Sequence, residues 1–169
     1  MAVYIFAALI GVGIVALDQY TKYFIAANYT LAQSYVFIPK LIDITYVKNT
    51  GAAWGMLSDR TWLLISVTTL VMLICISLIV KYGTRNKLLF WAMILVLSGG
   101  VGNMIDRIFR GSAVVDFLHF TFWPQFPVFN IADCAIVVGG GLLVLYFLVD
   151  LLREAKSKSL SRAFNNDKE

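Results

Sequence analysis

Histidine occurs once in this 169-residue chain, at His119. One imidazole excludes a histidine-based metal cluster and an HExxH helix, which need at least two. A serine nucleophile such as Ser98 would need His119 as its base, yet His119 lies in an aromatic loop outside every apolar run. No glycine-rich loop follows a strand in the manner of a phosphate cradle. Only two cysteines are present, Cys75 and Cys134, each inside an apolar run, and both read as small core residues rather than a disulfide or a metal pair. Charge is scarce as well: 14% of residues are Asp, Glu, Lys or Arg, against about 25% in an average water-soluble domain. The net charge of +4 does not collect into one basic patch, so nucleic acid is not an expected partner.

What is abundant is apolar length. Hydrophobic residues make up 60% of the chain and the mean hydropathy is +0.79. Four runs stand out, at about 1–20, 62–80, 88–106 and 131–150. Each suits a helix crossing a ~30 Å hydrocarbon core, the first only if it continues past Asp18. A cleaved signal peptide is the rival reading of that first run. It lacks a basic leading region, and Asp18-Gln19 stands where small cleavage-site residues belong. The expected fold class is therefore an α-helical integral membrane protein with four transmembrane helices. One domain covers 1–152, and a basic tail over 153–169 ends in a solvated, disordered stretch.

Orientation follows from the basic residues. Lys81, Arg85 and Lys87 fall within one seven-residue link, and Arg153, Lys156, Lys158, Arg162 and Lys168 follow the fourth run. With four spans these two segments share a side, and the positive-inside rule makes it the cytoplasm, with both termini there. The longer segments, about 21–61 and 107–130, then face outward. Ile42 to Lys48 partly alternates and is rich in β-branched and aromatic residues, which predicts a short strand between turns at Pro39 and Asn49-Thr50-Gly51. Phe117, Phe120, Phe122, Trp123, Phe126 and Phe129, with Trp54 and Trp62, suit a belt at headgroup depth.

The polar residues of the spans collect toward that outer face. Asp18, Gln19 and Lys22 stand where the first run exits; Asn103, Asp106 and Arg107 end the third; Asn130 and Asp133 open the fourth; Asn49 and Asp116 lie in the outer segments. Charges near hydrocarbon need a partner or a water-lined cavity. Each also has a plain structural reading. Asp18 and Lys22 stand at i,i+4 and suit an interfacial ion pair. Asn103, Asp106 and Arg107 share one helical face, as a structural network or a substrate-facing one. Asn49 suits a turn, and Asn130 an N-cap for the fourth helix, with Asp133 in its first turn. Asp116 resists such a reading: in Val114-Val115-Asp116-Phe117 it has apolar neighbours and no cation nearby in sequence. Burial would raise its pKa, and two facing carboxylates sharing one proton supply a general base and a general acid for peptide hydrolysis.

Five motifs occur in order: Asp18-Gln19-x-x-Lys22, Asn49-Thr50-Gly51-Ala52-Ala53, Gly102-Asn103-x-x-Asp106-Arg107, Val114-Val115-Asp116-Phe117 and Phe129-Asn130-x-Ala132-Asp133. Together they resemble the bacterial lipoprotein signal peptidases, or signal peptidase II, over nearly the whole chain. The resemblance implies an intramembrane aspartyl endopeptidase that cleaves prolipoproteins just before a diacylglyceryl-modified cysteine. It implies four transmembrane helices with an extracytoplasmic β-cradle and a small amphipathic segment, here near Trp54 to Leu57. By motif position Asp116 and Asp133 match the catalytic pair, and Asn49, Asn103, Arg107 and Asn130 match residues lining the site. Asp18 and Lys22, with Asp106, match supporting positions. It further implies a monomer in the bacterial cytoplasmic membrane, in contact with lipid, with no metal or organic cofactor, and inhibition by the cyclic peptide globomycin. Two departures are visible: Trp54 stands where Phe is more usual, and the Arg107 to Asp116 segment is one residue longer than the usual pattern. The alternative function is a small transporter or proton conductor using the same acids as a relay, although 62–80 offers it no charged residue.

Overall fold

Four apolar helices carry a small sheet at one end in the computed structural model, which describes residues 1–58 and 60–166. Helix α1 spans Ala2–Asn28, α2 Thr61–Tyr82, α3 Lys87–Phe109 and α4 Ile131–Asn166. All four are long and apolar enough to cross a membrane, α4 through Lys158. Two expected boundaries change. Asp18 and Lys22 lie inside α1 rather than at its exit, because their charges are paired within the protein and do not force the helix to end. The basic tail after residue 152 stays helical to Asn166, which carries the helix into the final ten or so residues expected to be disordered, while 167–169 lie outside the described residues. That stretch has no Gly or Pro, and Glu154 pairs with Lys158 one turn on at 2.7 Å.

Helix α3 is the hub. It packs against α1, α2 and α4 and is the most buried of the four, whereas α2 scarcely meets α4. Glycine makes the α3–α4 approach possible. A Cβ at Gly99 would run into the Ala132 carbonyl oxygen, and one at Gly102 would lie 3.1 Å from Ala132 Cβ.

The sheet orders β1 (Ser34–Ile38), β2 (Ile42–Asn49) and β3 (Val114–Phe120) as an antiparallel meander. The predicted strand at Ile42 to Lys48 is β2. Ile44, Tyr46, Val115 and Phe117 pack with Ile25, which ties the sheet to the end of α1. The register of β2 on β3 breaks between Ile44 and Val47: Ile44 pairs with Leu118, yet Val47 pairs with Asp116. Three steps on one strand thus match two on the other, which is a β-bulge. Its effect is on facing. An unbroken ladder would set Tyr46 opposite Asp116 and Lys48 diagonal to it; the extra residue brings Asn49 there instead. Cys75 is a buried core residue beside Leu89, Ala92 and Met93, as expected. Cys134 is not: it is half-buried and lines a cavity, because its position on α4 turns it away from the α3 seam.

Candidate active site

Three asparagines organise the two aspartates, and each does so in the same way. A donor fixes the amide oxygen, so the NH2 group is turned toward a carboxylate. Asn49 accepts the Gly51 N–H at 2.9 Å in an Asx turn at the end of β2 and donates to Asp116 Oδ2 at 2.9 Å. Asn130 accepts the Asp133 N–H at 2.9 Å, capping α4, and donates to Asp116 Oδ1 at 2.6 Å. Asn103 accepts from Lys22 Nζ at 2.9 Å and from Asn130 at 3.1 Å, and donates to Asp133 Oδ1 at 2.7 Å. The Asn130 N–H completes Asp133 by donating to Oδ2 at 3.1 Å, which makes the cap reciprocal. The cap and the site residue read separately from the sequence are one side chain.

Each aspartate therefore accepts two hydrogen bonds from neutral donors, and among the described residues neither forms an ion pair. That environment leaves the carboxyl of Asp116 easy to protonate. Its pKa is raised to about 7, first by burial and then by the negative charge of Asp133, against the pull of the Asn49 and Asn130 bonds and of Lys22.

Behind the pair sits an ion cluster closed to solvent. Lys22, Asp18 and Asp106 are all 0% exposed. Lys22 Nζ lies 2.9 Å from Asp18 Oδ2 and 3.2 Å from Asp106 Oδ2. Arg110 approaches Asp106 at 3.4 Å, and Gln19 donates to both carboxylates at 3.1 Å. Each carboxylate also grips a backbone amide. Asp18 Oδ1 accepts the Ala132 N–H at 2.9 Å, and Asp106 Oδ2 accepts the Val115 N–H at 3.0 Å. Those two residues immediately precede Asp133 and Asp116. The expected interfacial pair is thus a buried three-ion cluster, because α1 runs past it and α3 supplies a second acid.

Arg107 completes the polar wall. Its Nε is buried with no hydrogen-bond partner among the described residues, and its terminal nitrogens reach only the carbonyls of Gly51 and Asn103, at 3.3 and 3.5 Å. A half-buried guanidinium with spare donors at the cavity wall is ready for a ligand oxygen.

These groups open into a cavity of about 430 Å³. Asn49, Asn103, Arg107, Asp116 and Asp133 line its polar end; Asn130 is fully buried behind it and acts through its bonds. The other walls are apolar. Phe120, Phe126 and Phe129 form one of them, so part of the expected headgroup belt is site wall, joined by Trp54 edge-on to Phe126 at 6.1 Å. The expected amphipathic segment is a single 3₁₀ turn, Ala53–Gly55, in a strap fastened by Ala52 N–H to Met56 at 2.7 Å and by Trp54 Nε1 to Gln125 at 3.3 Å. Cys134, Val137 and Val138 carry the cavity along α4, where Val137 is 70% exposed. Sequence reading missed this α4 face, since apolar residues in a span look alike whether they meet lipid or a cavity. The loop before Asp116 turns through two left-handed residues, Gly111 and Ser112, with φ of 66° and 72°.

Known proteins are similar to this chain over most of its length. A family described as signal peptidase (SPase) II matches residues 10–149. The lipoprotein signal peptidase of Bacillus pumilus strain SAFR-032 is 41% identical over 146 residues, covering 86% of this chain and 94% of its own length. That of Brevibacillus brevis strain 47 is 41% identical over 142 residues, covering 84% and 94%. Among solved structures, a bacterial membrane enzyme determined in meso at 2.3 Å resolution superposes with a TM-score of 0.80 at 34% identity, covering 86% of this chain and 88% of its own. A second, at 1.9 Å, gives 0.77 at 34% identity, over 84% and 92%. Identity at this level across nearly the full length of both partners, on a matching four-helix frame, makes this chain a multi-pass membrane protein of the signal peptidase II family.

Proposed function

We propose that Asp116 and Asp133 together activate the water with which this enzyme removes signal peptides from prolipoproteins. The observation that carries the proposal is the pair's setting: two carboxylates in one cavity, each held by two neutral donors, with one titrating near neutrality. A pair with one proton has an ionised member to take a proton from water as its oxygen attacks the scissile carbonyl. The protonated member donates to the carbonyl oxygen as the tetrahedral intermediate forms. When the carbon–nitrogen bond breaks, one carboxyl passes its proton to the leaving amine while the other carboxylate takes a hydroxyl proton from the gem-diol as the product carboxyl group forms, so the pair again holds one proton. Arg107 offers its spare donors to a substrate carbonyl, which fixes the peptide across the pair.

The rest of the cavity supports a lipid-modified substrate. Its apolar wall runs along α4 through Cys134, Val137 and Val138, where Val137 is 70% exposed, so a diacylglyceryl group enters from the hydrocarbon without crossing water. The aspartates lie at the outward, sheet-bearing end, with both chain ends cytoplasmic, by the distribution of Lys and Arg. All the proposed site residues come from one chain, which fits action as a monomer. Globomycin would occupy the same cavity and block it. Purified protein incubated with a diacylglyceryl-modified precursor, with and without globomycin, tests the reading. Cleavage just before the lipidated cysteine, lost in Asp116→Asn, is the expected result, and cleavage unaffected by that substitution would remove Asp116 from the mechanism.

A further inference from the structure

The seam between α1 and α3 carries two grooves on its lipid-facing side. One lies toward the sheet, encloses about 570 Å³, and is lined by apolar residues with Gln19 and Ser98; no charged side chain enters it. The other lies at the opposite end and encloses about 500 Å³ between Ala2, Val3 and Phe6 of α1 and Lys87, Phe90 and Trp91 of α3. The active-site chemistry uses neither.

The second groove has walls that are set in place rather than loosely apposed. Phe6 meets Trp91 edge-on at 6.0 Å, Trp91 meets Phe90 at 5.6 Å, and Phe90 meets Tyr4 at 5.6 Å. Phe90 is buried beneath them. The Tyr4 hydroxyl in turn lies 2.5 Å from where a Cβ would stand on Gly83, so the α2–α3 link is held close over this end of α1. At the mouth stands Lys87, exposed, on the first residue of α3 and thus at the positive end of that helix's dipole. Lys81 and Arg85 lie in the same short link, and among the described residues none of these three cations forms an ion pair.

We propose that this groove binds a glycerophospholipid with an anionic headgroup, of the phosphatidylglycerol class. An acyl chain lies along Val3, Phe6 and Trp91, and the phosphate sits against Lys87 with Arg85 nearby. Charge complementarity selects the occupant. The two grooves have similar size and similar apolar walls, and only this one ends at unpaired cations. By the orientation proposed above, that end faces the cytoplasmic leaflet, where anionic lipids draw basic clusters beside a helix end. The bound lipid would brace α1 against α3 at the end of the seam far from the Lys22 cluster.

Trp91 supplies the readout, since the chain's other tryptophans, Trp54, Trp62 and Trp123, all lie in or next to the segments at the sheet end. Full-length protein in neutral micelles is titrated with chain-brominated phosphatidylglycerol or phosphatidylcholine, and the quenching absent from Trp91→Phe is assigned to Trp91. Micelles have no sidedness, so the outcome does not depend on the orientation or on the peptidase reading. Quenching by the anionic lipid at lower mole fraction is expected. Lys87→Gln should cut that preference about five-fold, the ratio that corresponds to about 1 kcal/mol per cation at a membrane surface. Prolipoprotein cleavage by Lys87→Gln in detergent should stay unchanged. Equal quenching by the two lipids would overturn the proposal, as would a preference that persists in Arg85→Gln/Lys87→Gln. Relief of quenching by inorganic phosphate beyond a matched chloride control would reduce the site to an anion site and also overturn it.

Discussion

Lys22 and Asn103 meet at 2.9 Å, and that contact decides which end of the Asn103 amide faces Asp133. The ammonium can only donate, so it holds the amide oxygen and turns the NH2 group to the aspartate at 2.7 Å. The same Lys22 anchors Asp18 and Asp106, which grip the backbone amides of Ala132 and Val115. A single side chain on α1, itself outside the cavity, thereby bears on both aspartates.

Removing that charge should harm folding and catalysis separately. Lys22→Met leaves two buried carboxylates with only Arg110 beside one of them, a change that costs about 3–5 kcal/mol. Lys22→Met/Asp18→Asn removes one charge of each sign and keeps an acceptor for the Ala132 N–H. The double variant should recover most of the lost thermal stability yet keep a reduced kcat, because only the Asn130 bond at 3.1 Å then holds the Asn103 amide oxygen. Detergent melting curves with cleavage rates check this, and full recovery of kcat would show that Lys22 serves stability alone.

At the aspartates, replacement should separate chemistry from placement. Asp116→Asn and Asp133→Asn should each abolish precursor cleavage while the protein still inserts into the membrane. Asn130→Ala should retain more activity than either, since Asp116 keeps its bond from Asn49 and Asp133 its bond from Asn103. Single-turnover cleavage by the three variants is the measurement.

The helices were legible before the structure because a membrane span states itself in twenty apolar residues. The β2 strand was legible from its alternation, and the site residues from their motifs. What escaped was geometry that depends on partners distant in the chain. The pattern at Ile42 to Lys48 is imperfect because a bulge lies within it, and only the β3 register shows which face Asn49 takes. Asp18 and Lys22 look like a surface pair until Asp106, more than eighty residues away, is placed beside them. Cys134 and Val137 look like core or lipid contacts until the cavity is found to run along that side of α4.

Close helix approach predicts a further sensitivity. A Cβ at Gly102 would stand 2.7 Å from Asp18 Oδ2 and 3.1 Å from Ala132 Cβ, both parts of the buried scaffold. Neither can retreat without breaking the Lys22 or Ala132 contact. Gly102→Ala should therefore destabilise the protein by about 1–3 kcal/mol, the usual range for overpacking, and depress cleavage. Gly140→Ala on α4, where no atom lies within 4 Å of the new carbon, is the matched control and should change neither.

Asp116 links catalysis and stability to pH, and the signs can be worked out. Its pKa is pushed up to about 7 in the folded protein, against an ordinary carboxyl value of 3.8. Between those values the folded state holds a proton that the unfolded chain has lost, so this contribution is full below about pH 4 and lost as pH rises to about 7. The loss runs at about 1.4 kcal/mol per pH unit and totals on the order of 4 kcal/mol. Asp116→Asn carries no such proton. Its melting temperature should match that of the parent near pH 4 and exceed it at pH 7.5, and a constant difference across that range would contradict the assignment. Activity should fall over the upper part of the same range, because ionising the second carboxyl removes the proton that the carbonyl oxygen needs. The declining limb of kcat/KM is expected near pH 7 and belongs to the coupled pair rather than to one residue. Asn49→Ala takes away a hydrogen bond that favours the ionised form of Asp116, so it should move that limb to higher pH.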